Sequence, residues 1–380
     1  MDASFIPFPI SPELQVHRLP MAHPGDLSAL AGLLDHGVLR AQDVVAVIGK
    51  TEGNGGVNDF TRGFFTQSLM ALLGARLGRA PQDLLQEIPC ILSGGTEGVL
   101  SPHYVVFARA EAAPDARPGP ALALGRALGP AMQAQDMGRW AQVRQVADAV
   151  RAAMADARIS GPEDISFVQV KCPFLTPQLA ESASAAGPAV ACPDANRSMA
   201  LSRAAGAFGV ALALGELDDD PALEVALLGD FTLFSNRASI SCGVEVKACE
   251  VVVLGHSPQW RGPLRLACAP MADALDLAAV TQVLAELGLR AQPQLSPQDQ
   301  VRIAAAFVKC EPDRRGTVRG ARHTMLGDTD INAQRHIRGA VGGLVAGVLG
   351  DGRIFVSGGA EHQGPDGGGL IAVIAEVAQA

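Results

Sequence analysis

The chain has 380 residues, 48% of them hydrophobic and 4% aromatic, with a formal net charge of -9. That length implies two or three domains with enough apolar material for a large core. The acidic balance, with no basic stripe, excludes nucleic acid as the main partner. No apolar run reaches the roughly 18 to 20 residues of a membrane span. The opening MDASFIPFPISPELQVHRLP lacks a basic region followed by an apolar one, so no secretory signal and a cytoplasmic location are expected.

The first predicted element is a helix over LSALAGLLDHGVL, with apolar residues at helical spacing. After the short AQD comes VVAVIGKTEGNGG, residues 44–56, an apolar strand pattern running into Gly-Lys-Thr. The end resembles a phosphate-binding loop, but such a loop needs a glycine where Val44 stands. Lys50 therefore needs another role. The stretch RGFFTQSLMALLG then reads as a helix opened by Arg62 and capped by Gly74. A strand ending in SGGTEG follows, with Ser93 and Gly94.

The same order returns twice. In the middle of the chain a helix over VRQVADAVRAAMADA and the punctuator GPED precede ISFVQVKCP, which ends in Lys171. RAAGAFGVALALG then runs from Arg203 to Gly215, and ASISCGVE contains Ser241. In the last third, LAAVTQVLAELGL and SPQD precede IAAAFVKCE with Lys309, then RGAVGGLVAGVLG from Arg338 to Gly350, then IFVSGGAEH with Ser357 and Gly358. Asp43 and Asp164 each precede the lysine by seven residues, whereas Asp299 precedes Lys309 by ten, so the third copy carries a small insertion.

Three ordered motifs in three copies imply triplication, with repeat units over 1–107, 118–254 and 262–380. EAAPDARPGP and GHSPQWRGP are the expected linkers. Each unit alternates strands and helices, so the fold class is α/β: three homologous units around a pseudo-threefold axis, with the active site at its centre. One lysine at a strand end is ordinarily a solvated edge residue. Three lysines, three arginines and three serines at matching strand ends can instead converge on one cavity.

Such a cavity suits nucleophilic attack on a polarised carbonyl. No Ser-His-Asp spacing or GxSxG elbow occurs, so a serine would need a lysine as base. Burial and neighbouring arginines lower a lysine pKa towards that role. Backbone amides in the glycine turns after each serine can hold charge developing on oxygen. The odd set of Cys90, Cys172, Cys192, Cys242, Cys249, Cys268 and Cys310 has no CxxC pair, and the eight histidines have no HExxH. Buried reduced thiols are expected in place of disulfides or a zinc knuckle. GGAEHQGPDGGG is either a flexible turn or a loop of carbonyls around a hard cation, with Glu311 a possible ligand because Lys309 and Ser357 end neighbouring strands.

GKTEGNGGVNDFTR, SGGTEGVLSPH, VQVKCPFLTP, SMALSRAAGA, RGARHTMLGDTDIN and VSGGAEHQGPDGGG together resemble the cyanuric acid hydrolase and barbiturase family over nearly the whole chain. The resemblance implies three similar units about a pseudo-threefold axis, hydrolytic opening of a cyclic imide, and a homotetramer. It implies Lys171 as general base and Ser241 as nucleophile, with Lys50 and Lys309 as supporting lysines that orient their serines. Ser93 with Gly94 and Ser357 with Gly358 would hold the other ring carbonyls, beside Ser241 and Cys242, and Arg62, Arg203 and Arg338 would grip the ring edges. Glu311, Ala360, Gln363, Gly364, Pro365 and Gly368 would hold a structural divalent metal, Mg or Ca, with no organic cofactor. Gln334 is the position expected to tune specificity. The substrate expected is cyanuric acid, opened to carboxybiuret and then biuret and carbon dioxide. The alternatives are barbituric acid, opened to ureidomalonate, or a catalytically silent binding protein on the same scaffold. Cys242 stands where the other copies have glycine.

Overall fold

The computed structural model describes residues 8–187 and 189–378. Three four-stranded sheets follow one another along the chain. The first contains β1 (Pro12–Pro20), β2 (Val44–Thr51), β3 (Cys90–Gly94) and β4 (His103–Glu111), in the spatial order β1-β4-β2-β3. The second contains β5 (Ala121–Ala131), β6 (Ile165–Cys172), β7 (Ala238–Cys242) and β8 (Ala248–Ser257), in the order β5-β8-β6-β7. In the third, β9 (Leu264–Met271) and β10 (Ile303–Cys310) are followed by a small hairpin, β11 (Thr317–Val318) with β12 (Ala321–Arg322). Then come β13 (Phe355–Gly358) and β14 (Gly369–Glu376), giving the order β9-β14-β10-β13. In strand roles the three orders are the same.

The likeness extends to register. Each lysine strand is eight residues long with its lysine seventh. Each shows a register irregularity near its start, at Val44/Ala46, Ile165/Phe167 and Ile303/Ala305. Each pairs in parallel with its serine strand so that lysine and serine are opposite: Lys50 with Ser93, Lys171 with Ser241, Lys309 with Ser357. The extra residues of the third copy fall before β10, where the turn Pro297–Gln300 leaves a gap that Ala41–Asp43 and Pro162–Asp164 do not. β4 and β8 run on to Glu111 and Ser257, into the segments expected as linkers. Trp260 in the second of these is fully buried, and its Nε1 donates to Ala157 O at 2.7 Å.

Side chains on strands alternate faces. Ile48 and Phe307, two residues before their lysines, lie in one core shared by all three sheets, where Phe167 stacks on Phe307 at 5.3 Å. The lysines therefore point inward as well. Helices cover the outer faces, among them Ser28–Asp35, Trp140–Asp156 and Leu277–Glu286 where helical spacing predicts them. Among the described residues no helix is long and apolar enough to cross a membrane.

The arginine helices correct two expectations. They span Thr61–Leu77, Ala195–Ala213 and Ala333–Leu349, so Arg62 opens its helix but Arg203 and Arg338 sit well inside theirs. Helix-capping polar residues upstream, Asp194 and Asn332, accept bonds from Arg197 N and Gln334 N and start those helices earlier. Gly74 is not a cap; it is buried mid-helix, and Gly78 takes the left-handed conformation that ends the helix.

Candidate active site

One cavity of about 520 Å³ is lined by Arg62, Ser93, Arg203, Ser241, Arg338 and Ser357, a guanidinium and a hydroxyl from each third of the chain. Gly94, Cys242, Gly358 and Gln334 line it too. Asn54, Asn196 and Asn332 add one amide from each third, a set that sequence reasoning missed because their spacing to the arginines differs by a residue each time.

The lysines lie beneath this floor, all fully buried. Lys50 Nζ donates to Ser93 Oγ at 3.2 Å and Gly94 O at 3.0 Å. Lys309 Nζ donates to Ser357 Oγ at 3.2 Å, Gly358 O at 3.2 Å and, across to the middle sheet, Ile240 O at 2.7 Å. Lys171 differs. Its Nζ lies 2.6 Å from Leu92 O of the first sheet, 3.1 Å from Cys242 O and 2.8 Å from Glu245 Oε1. Ser241 Oγ is buried with no hydrogen-bond partner among the described residues. Burial lowers the proton affinity of all three amines. It takes Lys50 well below the usual lysine value and Lys309 to about 7, while the Glu245 carboxylate works against the fall at Lys171.

The arginines are held by glutamates that sequence reasoning left without a role. Arg62 Nε donates to Glu245 Oε1 at 2.7 Å, Arg203 pairs with both oxygens of Glu361 at 2.7 Å, and Arg338 pairs with both of Glu97 at 2.9 and 2.5 Å. Each pair joins one third of the chain to the next: first to second, second to third, third to first. Each glutamate ends the Ser-x-Gly-x-Glu turn, so an acid repeated at fixed spacing was the available signal. Burial opposes the charge on these carboxylates, but Arg203 brings Glu361 to about 2, and Lys171 with Arg62 brings Glu245 to about 2.

Cys242 in place of glycine has a packing account. A Cβ at Gly94 would fall 1.9 Å from Asp59 Oδ2, and one at Gly358 would fall 2.7 Å from Gln334 Oε1. Asp59 stands three before Arg62 and Gln334 four before Arg338; the counterparts before Arg203 are Ala200 and Met199, and Cys242 Sγ donates to Met199 O at 3.6 Å.

The residues expected to hold a metal come together. Glu311 N donates to Gly368 O at 3.2 Å, Gln363 N to Ala360 O at 2.9 Å and Gly368 N to Pro365 O at 3.0 Å, folding the loop against Glu311. Gly364 takes the left-handed conformation in that loop. The Gln363 side chain is already committed, accepting from Ile240 N at 2.6 Å and donating to Gly359 O and Glu361 O. Glu311 accepts from Arg314 at 2.8 and 3.1 Å, and burial with the Glu361 charge pushes its carboxyl up to about 8. Among the described residues no three His, Cys, Asp or Glu side chains cluster as metal ligands. All seven cysteines are free thiols, with Cys192 and Cys268 only partly buried.

The family profile "Amidohydrolase ring-opening protein (Amido_AtzD_TrzD)" matches residues 15–376. A cyanuric acid amidohydrolase of Azorhizobium caulinodans is 49% identical over 365 residues, 96% of this chain and 98% of that protein. One from Pseudomonas sp. (strain ADP) is 45% identical over 363 residues, 95% and 99% of the two chains. A solved cyanuric acid hydrolase, described as an "evolutionary innovation by structural concatenation", superposes with a TM-score of 0.92 at 44% identity, over 96% of this chain and 100% of that one. The crystal structure of the A. caulinodans cyanuric acid hydrolase gives 0.88 at 48% identity, over 97% and 100%. The chain belongs to the ring-opening amidohydrolase family.

Proposed function

We propose that this chain hydrolyses cyanuric acid to carboxybiuret, which loses carbon dioxide to give biuret, with Ser241 as nucleophile and Lys171 as base. The observation that carries the reading is the single cavity lined by arginine and serine from each third of the chain. Cyanuric acid has three equivalent carbonyls, and three copies of one carbonyl-binding unit about a pseudo-threefold axis fit that shape. Ring placement by three clamps removes much of the orientational freedom that the reaction must otherwise lose.

In this reading Arg62, Arg203 and Arg338 grip the ring edges. Ser93 with Gly94 and Ser357 with Gly358 hold two carbonyls, and Ser241 faces the third. Neutral Lys171 takes the Ser241 proton as Oγ bonds to the carbonyl carbon, and main-chain amides after the serine receive the charge on oxygen. The ring C–N bond then breaks, the nitrogen leaves with the proton from Lys171, and water releases the acyl group from Ser241. Lys50 and Lys309 orient their own serines and take no proton.

We infer a divalent Mg or Ca at the 360–368 loop: Glu311 is buried against that loop, and its carboxylate would exchange the Arg314 bonds for a hard cation. Glu311 and the main-chain oxygens of Ala360, Gln363, Gly364, Pro365 and Gly368 would hold it. When bound, it would supply fixed positive charge that ties the loop after Ser357 to β10. The rest of the reading is a cytoplasmic homotetramer with units at 1–107, 118–254 and 262–380; unpaired thiols support a reducing compartment.

The relatives at 43 to 49% identity carry the name cyanuric acid amidohydrolase, which favours that substrate over barbituric acid. Incubation with each compound, following loss of ultraviolet absorbance and gain of biuret or ureidomalonate, tests it. Binding of both without turnover of either would overturn the catalytic reading.

A further inference from the structure

The three arginine–glutamate pairs share partners but not geometry. Glu361 and Glu97 each give both oxygens to one guanidinium. Glu245 gives Arg62 only Oε1, and that same oxygen accepts from Lys171 Nζ at 2.8 Å. Its Oε2 is buried without a hydrogen-bond partner among the described residues. The cause is Asp59, which is buried beside Arg62 and accepts from Nη1 at 3.0 Å, while Gly56 O accepts from Nη2 at 3.2 Å. The guanidinium is turned aside, and only Nε remains for Glu245. Three residues before the arginine the other units carry Ala200 and Arg335, so neither draws its guanidinium away.

We propose that Ser241, Lys171 and Glu245 form one nucleophile–base–carboxylate array, and that Asp59 is the positioning residue that leaves Glu245 free to complete it. The proposal rests on the reading of Ser241 and Lys171 given above. It explains why one of three nearly equivalent units does the chemistry. A carboxylate behind a base holds its orientation and stabilises the cation formed when the serine proton is taken. Lys50 and Lys309 hydrogen-bond only to serine hydroxyls and main-chain carbonyls; Glu97 and Glu361 act on them at a distance, through Arg338 and Arg203, and among the described residues neither lysine forms an ion pair. The other charged or titratable groups facing Lys171 are Arg62, the thiols of Cys90, Cys172 and Cys242, and Glu250. Glu250 is its cross-strand partner on β8 and accepts from Cys90 N at 2.9 Å.

The test is the pH profile of cyanuric acid turnover by full-length Glu245→Gln and Asp59→Asn, repeated in a Glu250→Gln background to remove that carboxyl's own titration. Expected are a fall in kcat of about 100-fold for Glu245→Gln and about tenfold for Asp59→Asn, beyond any rise in KM from loosening Arg62, and a low-pH limb displaced downward by about one unit in both. Glu97→Gln should instead raise KM and leave the limb in place. If Glu245→Gln does not fold, Asp59→Asn carries the test, because Asp59 does not touch Lys171. A limb unmoved in both variants, with Lys171→Ala inactive, overturns the array alone. An active Lys171→Ala overturns the array together with the reading of the base.

Discussion

Arg203 and Glu361 stand 158 residues apart in the chain and meet through two hydrogen bonds of 2.7 Å at the rim of the cavity. The guanidinium fork is matched to the carboxylate plane, and a lysine there would keep the charge but lose the second bond and the aim towards the ring. Arg203→Lys should raise KM for cyanuric acid by roughly tenfold or more, with a smaller loss in kcat. Steady-state kinetics checks this; an unchanged KM would remove Arg203 from the ring clamp.

Gln334 Oε1 accepts from Gly359 N at 2.7 Å, so it shapes the turn after Ser357 as well as the cavity wall. Gln334→Ala should change the ratio of kcat/KM for cyanuric acid over barbituric acid by about tenfold, because the two rings differ by one N–H donor. Side-by-side turnover of both compounds reads the ratio directly.

The shared core predicts stability at a distance from the chemistry. Phe307 stacks on Phe167 at 5.3 Å and is fully buried between two units. Phe307→Ala should lower unfolding stability by about 3–5 kcal/mol in urea titration. A loss under about 1 kcal/mol would mean that the sheets do not depend on that contact.

Acid should loosen the ring of pairs. The folded-state values of Glu245 and Glu361, both about 2, lie below the unfolded carboxylate value. Their contribution is therefore present above about pH 4 and is lost as pH falls towards 2. Denaturation midpoints should drop steeply between about pH 4 and about pH 2. Arg203→Lys should narrow that drop.

Much of this architecture is legible in the amino-acid order, and the reason is local. Lys50, Lys171 and Lys309 sit at the same place in eight-residue apolar strands, and period-two alternation alone turns them inward beside Ile48 and Phe307. What the order hides is contact between distant segments. Nothing near Arg203 marks Glu361 as its partner, and nothing near Lys171 marks Glu245, although both acids repeat at one spacing from a serine. Helix starts lie upstream of the arginines because Asp194 and Asn332 cap there, and the first arginine helix ends at Gly78, which has the required positive φ, and not at Gly74. The Lys171–Ser241 register was readable, but Lys171 turning to Glu245 was not, since it depends on how Asp59 holds Arg62 in another unit.

The most direct measurement is turnover and binding of cyanuric acid by Lys171→Ala beside the unaltered chain. The account predicts a loss of turnover of about 1,000-fold or more, with the ligand still bound within a few-fold of its normal affinity. Near-normal turnover by Lys171→Ala would contradict it.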